Sequence, residues 1–144
     1  MNNDLHHFEQ FMKRREDVAR AYVRGDAEPL GRIVTRVSPA TFFGPQGGSH
    51  QGPNHVYATY ERGAAQFEPD GDSSFEILQM AASDGIAYWV GFQRVTARLR
   101  GSTAAIPLNL RVTELFHRES DEWKLVHRHA DALTSEFSAL PSSE

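Results

Sequence analysis

Between Pro69 and Asp72 the chain changes its hydrophobic period, and that change restricts the fold more than any other feature. Before the Pro69-Asp70-Gly71-Asp72 breaker, apolar residues recur every three or four positions; after it they fall in β-branched and aromatic runs. The runs cover 74 to 82, 86 to 99, 107 to 118 and 122 to 131, divided by Ser83-Asp84-Gly85, Arg100-Gly101-Ser102 and Glu119-Ser120-Asp121. Four consecutive antiparallel strands are the economical reading. Helices followed by such a meander make an α+β fold in which the sheet buries one face against the helices.

Three helices are expected ahead of the breaker. Phe8, Phe11, Met12, Val18, Ala19 and Tyr22 share one helical face, with Asp4 as the starting cap and Gly25 as the stop. Asp26 caps a second, short helix with Pro29 in its first turn and Leu30, Ile33 and Val34 on the buried side. Ala40 to Phe43 is a short strand candidate, closed by a Gly/Pro-rich loop over 44 to 53 that lacks the Gly-Lys-Ser/Thr ending of a phosphate-binding loop. Pro53 opens the third helix, where Val56, Tyr60, Ala64 and Phe67 keep helical spacing.

At 144 residues the chain fits one domain with a core large enough to fold without metal or disulfide, expected over 1–134 with a tail over 135–144. It has no cysteine, which excludes thiolate chemistry and leaves only histidine and carboxylate as metal ligands. No segment has the apolar length of a signal peptide or membrane span, so a soluble, cytoplasmic protein without membrane contact is expected. Lys plus Arg is 15 against 19 Asp plus Glu, mixed along the chain, which argues against nucleic acid as a partner.

The last run ends in Trp123-Lys124-Leu125-Val126-His127-Arg128-His129-Ala130-Asp131. In an unbroken strand Trp123, Leu125, His127, His129 and Asp131 line one side, and Lys124, Val126 and Arg128 the other. A two- or four-residue loop around Ser120-Asp121 sets Glu114 opposite His127 and Val112 opposite His129, and gathers Leu110, Val112 and Phe116 beside Trp123 and Leu125. A loop one residue longer or shorter would place Arg111 and Thr113 on that face instead. The preferred register makes Glu114 and His127 an acid/base pair in an apolar wall. The structural alternative is that these polar groups only hold the sheet together, and the residues leave both readings open.

His127 and His129 with Asp131 or Glu114 could also chelate a metal, but the spacing is short and no second histidine pair lies nearby, so neither metal nor other cofactor is expected. His6, His7 and His117 read as exposed positions, while His50 and His55 flank the Gly-rich loop within reach of a pocket mouth. The aromatics Tyr22, Tyr57, Tyr60, Tyr88, Trp89 and Phe92 read mostly as core, and a buried tyrosine hydroxyl that needs a partner can edge a cavity.

These features resemble the SnoaL-like branch of the nuclear transport factor 2-like superfamily over nearly the whole domain. The likeness rests on three helices followed by a long meander, on Phe43-Gly44-Pro45-Gln46-Gly47, and on the ending from Arg111-Val112-Thr113 through Trp123 to His127-Arg128-His129. That ending is also similar to the association domain of calcium/calmodulin-dependent kinase II at Thr113, His127 and His129. The resemblance implies a cone-like curved antiparallel sheet packed on the three N-terminal helices around an internal pocket, and homodimers formed through the sheet.

The superfamily includes ketosteroid isomerases, polyketide cyclases, limonene epoxide hydrolase, dehydratases and scaffolds, so fold alone does not choose a function. Asp131 is similar in position to an acidic residue that serves acid/base chemistry in the cyclases and the epoxide hydrolase. The Arg-x-Asp pair of the hydrolase is missing from Tyr88 to Arg94, and Val90, Glu114 and Ala130 stand where the kinase association domain has pocket arginines. Tyr22 or Tyr60 with Glu114 could supply the donors of an isomerase oxyanion hole. The expected function is binding of a small, largely apolar ligand in the pocket, with cofactor-free acid/base catalysis by Glu114, His127 and Asp131. Tyr22, Tyr60, Trp89, Phe92, Arg111, Trp123 and His129 are the expected lining, and the alternative is a non-catalytic binding or oligomerisation module.

Overall fold

In the computed structural model, residues 3–134 are described, and the tail expected over 135–144 lies outside them. The helical period before Pro69 resolves into α1 (Asp4–Tyr22), α2 (Glu28–Ile33) and α3 (Pro53–Ala64), with β1 (Thr41–Phe43) and β2 (Ser49–Gln51) between the last two. After the breaker come β3 (Asp72–Ser83), β4 (Ile86–Ala97), the two-residue β5 (Ile106–Pro107), β6 (Leu110–Glu119) and β7 (Glu122–Ala132). One sheet runs β2-β1-β7-β6-β4-β3, with β5 paired to β4. No helix among the described residues is long and apolar enough to cross a membrane.

The four long strands form the expected antiparallel meander, and β1 adds to its β7 edge in parallel, with Thr41 opposite His127 and Phe43 opposite His129. The sheet is therefore mixed. The Gly-rich stretch expected as plain loop folds back as the hairpin β1–β2, helped by Gly47 and Gly52 at φ of 87° and 94°, where a side chain would be strained.

Three local expectations are corrected. Asp4 does not cap α1; it is the first helical residue, and its carboxylate accepts from the Gly85 amide at 2.7 Å and from Arg118 at 2.6 Å, tying the helix start to the β3–β4 turn. Helix α3 stops at Ala64, and Phe67 bridges to Leu99 and packs beside Val23, Val95 and Ala97. Val34 lies just past α2, where its backbone bridges in parallel to Leu125.

The buried stripe of α1 is Phe8, Met12, Arg15, Val18 and Ala19, with Asp4 below it. At one end the Phe8 ring lies 5.2 Å from Phe116 and 5.5 Å from Trp123, and Phe11 meets Phe116 edge-on at 5.4 Å. Aromatic burial of this extent dominates the energetics of a small core. In the middle of the stripe stands Arg15, only 3% exposed.

Phe116 is fully buried at the junction of helix and sheet, so Phe116→Ala is expected to cost about 3–5 kcal/mol in urea unfolding. A cost below about 1 kcal/mol would show that the ring is not packed between α1 and the sheet.

Candidate functional site

Pairing of β6 with β7 begins as expected: Glu119 faces Glu122 across a two-residue turn in which Ser120 and Asp121 take φ of 50° and 67°. His117 then faces Lys124 and Phe116 faces Leu125, but the next pair is Leu115 with His127. Val126 is an extra residue, a β-bulge, and a one-residue insertion reverses the faces of everything beyond it. Glu114 therefore stands opposite Arg128, and Val112 opposite Ala130; the expected facing of Glu114 with His127 and of Val112 with His129 does not occur.

The bulge divides the expected site between the two faces of the sheet. Trp123, Leu125, Arg128 and Ala130 are buried on the helix side, whereas His127 is partly exposed, His129 exposed and Asp131 partly exposed. Glu114, Tyr22, Tyr60, Trp89 and Trp123 lie on the inner side; His127, His129, Asp131, Arg111 and Phe92 line the outer side. The sequence set is thus two groups rather than one.

On the inner side Glu114 is fully buried and receives two hydrogen bonds from Arg15, Nε to Oε1 at 3.0 Å and Nη2 to Oε2 at 2.7 Å. Arg128 Nη1 donates to Oε2 at 2.5 Å, and the Trp89 indole N–H to Oε1 at 2.8 Å. The second Nη of Arg128 donates to Gln93 Oε1 at 2.7 Å, and the Gln93 amide N–H donates to the Ser73 hydroxyl at 3.0 Å. Helix α1 and strands β3, β4, β6 and β7 thereby meet in one polar cluster. Burial by itself would raise the Glu114 pKa, but the charges of Arg15 and Arg128 and their hydrogen bonds outweigh it and bring it down to about 2.

Tyr22 and Tyr60 face this cluster from α1 and α3. Burial raises the Tyr22 phenol to about 12 against the opposing charges of Arg128 and Arg15, and burial also raises Tyr60. Neither hydroxyl has a hydrogen-bond partner among the described residues. The Tyr22 hydroxyl presses on the backbone of Gly63, where any Cβ would overlap it, which accounts for a glycine inside α3. The Phe42 ring lies 4.7 Å from the Tyr60 ring at a 48° tilt, and Val56, Val112 and Ala130 belong to the same apolar cluster.

On the outer side Arg111 holds Asp131 through two hydrogen bonds of 2.6 and 2.8 Å, and the Asp131 pKa is lowered chiefly by them. His127 Nδ1 and the Thr41 hydroxyl are 2.7 Å apart in a hydrogen bond, and burial and the neighbouring His129 lower the His127 pKa. A groove of about 360 Å³ runs over this face between Leu78, Val90, Phe92, Thr113 and His129. His50 and His55, at the Gly-rich loop, hydrogen-bond each other at 2.9 Å, and no cluster of three or more potential metal ligands is present among the described residues.

Four members of the inner cluster escaped the sequence reading: Arg15, Arg128, Gln93 and Ser73. Arg15 carried a signal, because it lies seven residues after Phe8 and three after Met12 on the apolar stripe, where a charge must be paired. Arg128 had none without the bulge.

Residues 13–134 match the family described as SnoaL-like domain. No curated protein matches the chain significantly. Among solved structures, the fold is similar to a nuclear transport factor 2-like superfamily protein from Salmonella enterica serovar Typhimurium, with TM-score 0.76, 11% identity, and 95% and 96% of the two chains covered. It is also similar to a candidate dehydratase of the same superfamily from Streptomyces avermitilis, with TM-score 0.71, 20% identity and coverage of 88% and 96%. A candidate calcium/calmodulin-dependent kinase II association domain from Thiobacillus denitrificans gives TM-score 0.65, 15% identity and coverage of 84% and 93%. These structures share the cone-like α+β fold.

Replacing Glu114 by Gln strands two guanidinium groups in the core, and losing one partner of a buried ion pair costs about 3–5 kcal/mol. The folded carboxyl has the lower pKa, so its contribution is complete above the ordinary value of 4.5 and is lost as pH falls from there toward about 2. In urea unfolding, the gap between wild type and Glu114→Gln is expected to be constant above about pH 5.5 and to shrink as pH falls through that window. A gap that does not change with pH would place the Glu114 charge outside the cluster.

Proposed function

The chain belongs to the SnoaL-like domain family, and on that premise we propose that the interior between α1, α3 and the inner face of the sheet binds a small, largely apolar molecule. The observation that carries this reading is a pair of tyrosine hydroxyls without partners in an apolar surround, beside a buried charged cluster in which Arg15 Nη1 also lacks one. Two hydroxyls that bond to no protein group and face the same interior are what a ligand oxygen would complete.

The cluster supports binding better than proton transfer. A carboxyl with a pKa of about 2, held by two arginines and an indole, remains an anion at neutral pH and neither gives nor takes a proton there. His127 and Asp131, the other expected proton-transfer residues, face the outer side, away from Tyr22 and Tyr60. The chemistry within reach of the interior is stabilisation of negative charge on a ligand oxygen by phenol donors and nearby guanidinium groups.

The outer face supports a second role, assembly of two copies through the sheet. Leu78 is 58% exposed and Ile86 55%, with Phe43 and Leu115 each 38%, across strands whose other side is the core. In sedimentation analysis the wild type is expected to run as a dimer and Leu78→Asp as a monomer; a monomeric wild type would remove this role.

Binding is tested by titrating aromatic, steroid-like and polyketide-like probes into 15N-labelled protein. The Trp89 indole N–H reports on the interior through its bond to Glu114, and it is expected to shift together with amides of α3. Tyr60→Phe is expected to weaken the same probe about fivefold, the loss of roughly one neutral hydrogen bond. Shifts confined to Phe92, Thr113 and His129 would move the binding site to the outer groove and overturn the reading.

A further inference from the structure

The cluster inside the cone does not balance its charge. Among the described residues, the buried charged groups are Asp4, Arg15, Glu114 and Arg128, and Asp4 belongs to a separate pair with Arg118 near the β3–β4 turn. That leaves two guanidinium groups and one carboxylate in the interior, a surplus of one positive charge. Isolated buried charge is costly, and proteins bring a counter-charge to it or keep it near water.

The hydrogen-bond inventory repeats the imbalance. Glu114 has both oxygens occupied, by Arg15, Arg128 and Trp89, so it can satisfy no further donor at full strength. Arg15 Nη1 is buried without a partner, with its guanidinium carbon 5.5 Å from the centre of the Phe75 ring. Tyr22 and Tyr60 add two hydroxyls, each able to donate, that bond to no protein group among the described residues. An unpartnered guanidinium N–H, two unpaired hydroxyls and an excess of positive charge thus share one interior.

Resting on the reading of this interior as the binding site, we infer that its ligand is a monocarboxylate with an apolar body. Its carboxylate takes up the surplus charge of the Arg15–Glu114–Arg128 cluster and accepts hydrogen bonds from the Tyr22 and Tyr60 hydroxyls. A surplus of one charge matches a single carboxylate, and a second would again be unpaired in the interior. The body of the molecule meets Phe42, Val56, Val112 and Ala130. The positions 90, 114 and 130 lack arginine, and on sequence alone that argues against an anion; the structure supplies the positive charge from Arg15 on a helix and Arg128 beyond the bulge.

The probes are benzoate, benzamide and phthalate, which share a ring and differ in charge, titrated into the full chain at pH 7 with Kd read from chemical shifts of the Trp89 indole. Benzoate is expected to bind at least about tenfold more tightly than either benzamide or phthalate. Arg128→Gln is expected to remove that preference. Tyr22→Phe, a milder change that keeps the core volume, is expected to weaken benzoate about fivefold and leave benzamide nearly unchanged, so the test survives if Arg128→Gln does not fold. Equal binding of benzoate and benzamide at this indole would overturn the monocarboxylate inference and leave the cone as a binding site. Binding of none of the three would overturn the inference together with the reading it rests on. Benzoate binding unaffected by Tyr22→Phe would place the anion elsewhere and likewise refute it.

Discussion

The Glu114 carboxylate, buried and gripped by Arg15 and Arg128, is the interaction on which the rest of the interior depends. Arg15 comes from the middle of α1, Glu114 from β6 and Arg128 from β7, so this one charge sets how far the first helix stands from the sheet. Trp89 donates to it from β4, and Gln93 and Ser73 extend the chain of bonds across β4 to β3. Well-packed apolar residues would generally be as stable as a buried ion cluster of this kind, or more so. The cluster sets two guanidinium groups and one carboxylate beside Tyr22 and Tyr60.

The bulge at Val126 is the backbone feature that makes this possible. With unbroken alternation, Arg128 would lie on the side opposite Trp123 and Leu125, and the two histidines would enter the core. One inserted residue instead buries Leu125 and Val126 together, turns Arg128 inward to Glu114 and sends His127, His129 and Asp131 outward. The outward set then closes on itself and its edge: Asp131 with Arg111, and His127 with Thr41 of the parallel strand β1. A single insertion thus separates the interior ion cluster from the histidines and Asp131 of the outer surface.

Much of this was legible in the residues. The change of period at Pro69 placed the helices and the four long strands, and the spacing of Phe8, Met12 and Val18 identified the face of α1 that packs inward. Glu114, Trp89, Tyr22 and Tyr60 stood out as polar or amphipathic groups in apolar runs, and all four meet inside. The bulge was not legible, because Leu125-Val126 is compatible with either alternation and only the packing of both side chains selects the insertion. Arg15 is hidden from a stripe defined by apolar residues, although a charge among them is the stronger indication of a buried polar site. The parallel docking of β1 on β7 depends on contacts between residues more than eighty positions apart, which no local pattern encodes.

The most direct test of the central interaction is the 13C NMR titration of the Glu114 side-chain carboxyl in the folded protein. A carboxylate held by Arg15 and Arg128 keeps its ionised shift as pH is lowered through 4.5 and changes only on approach to about 2 or on unfolding. A midpoint near 4.5 in the folded state would mean that the arginines do not hold it, and the charge surplus inside the cone would not exist.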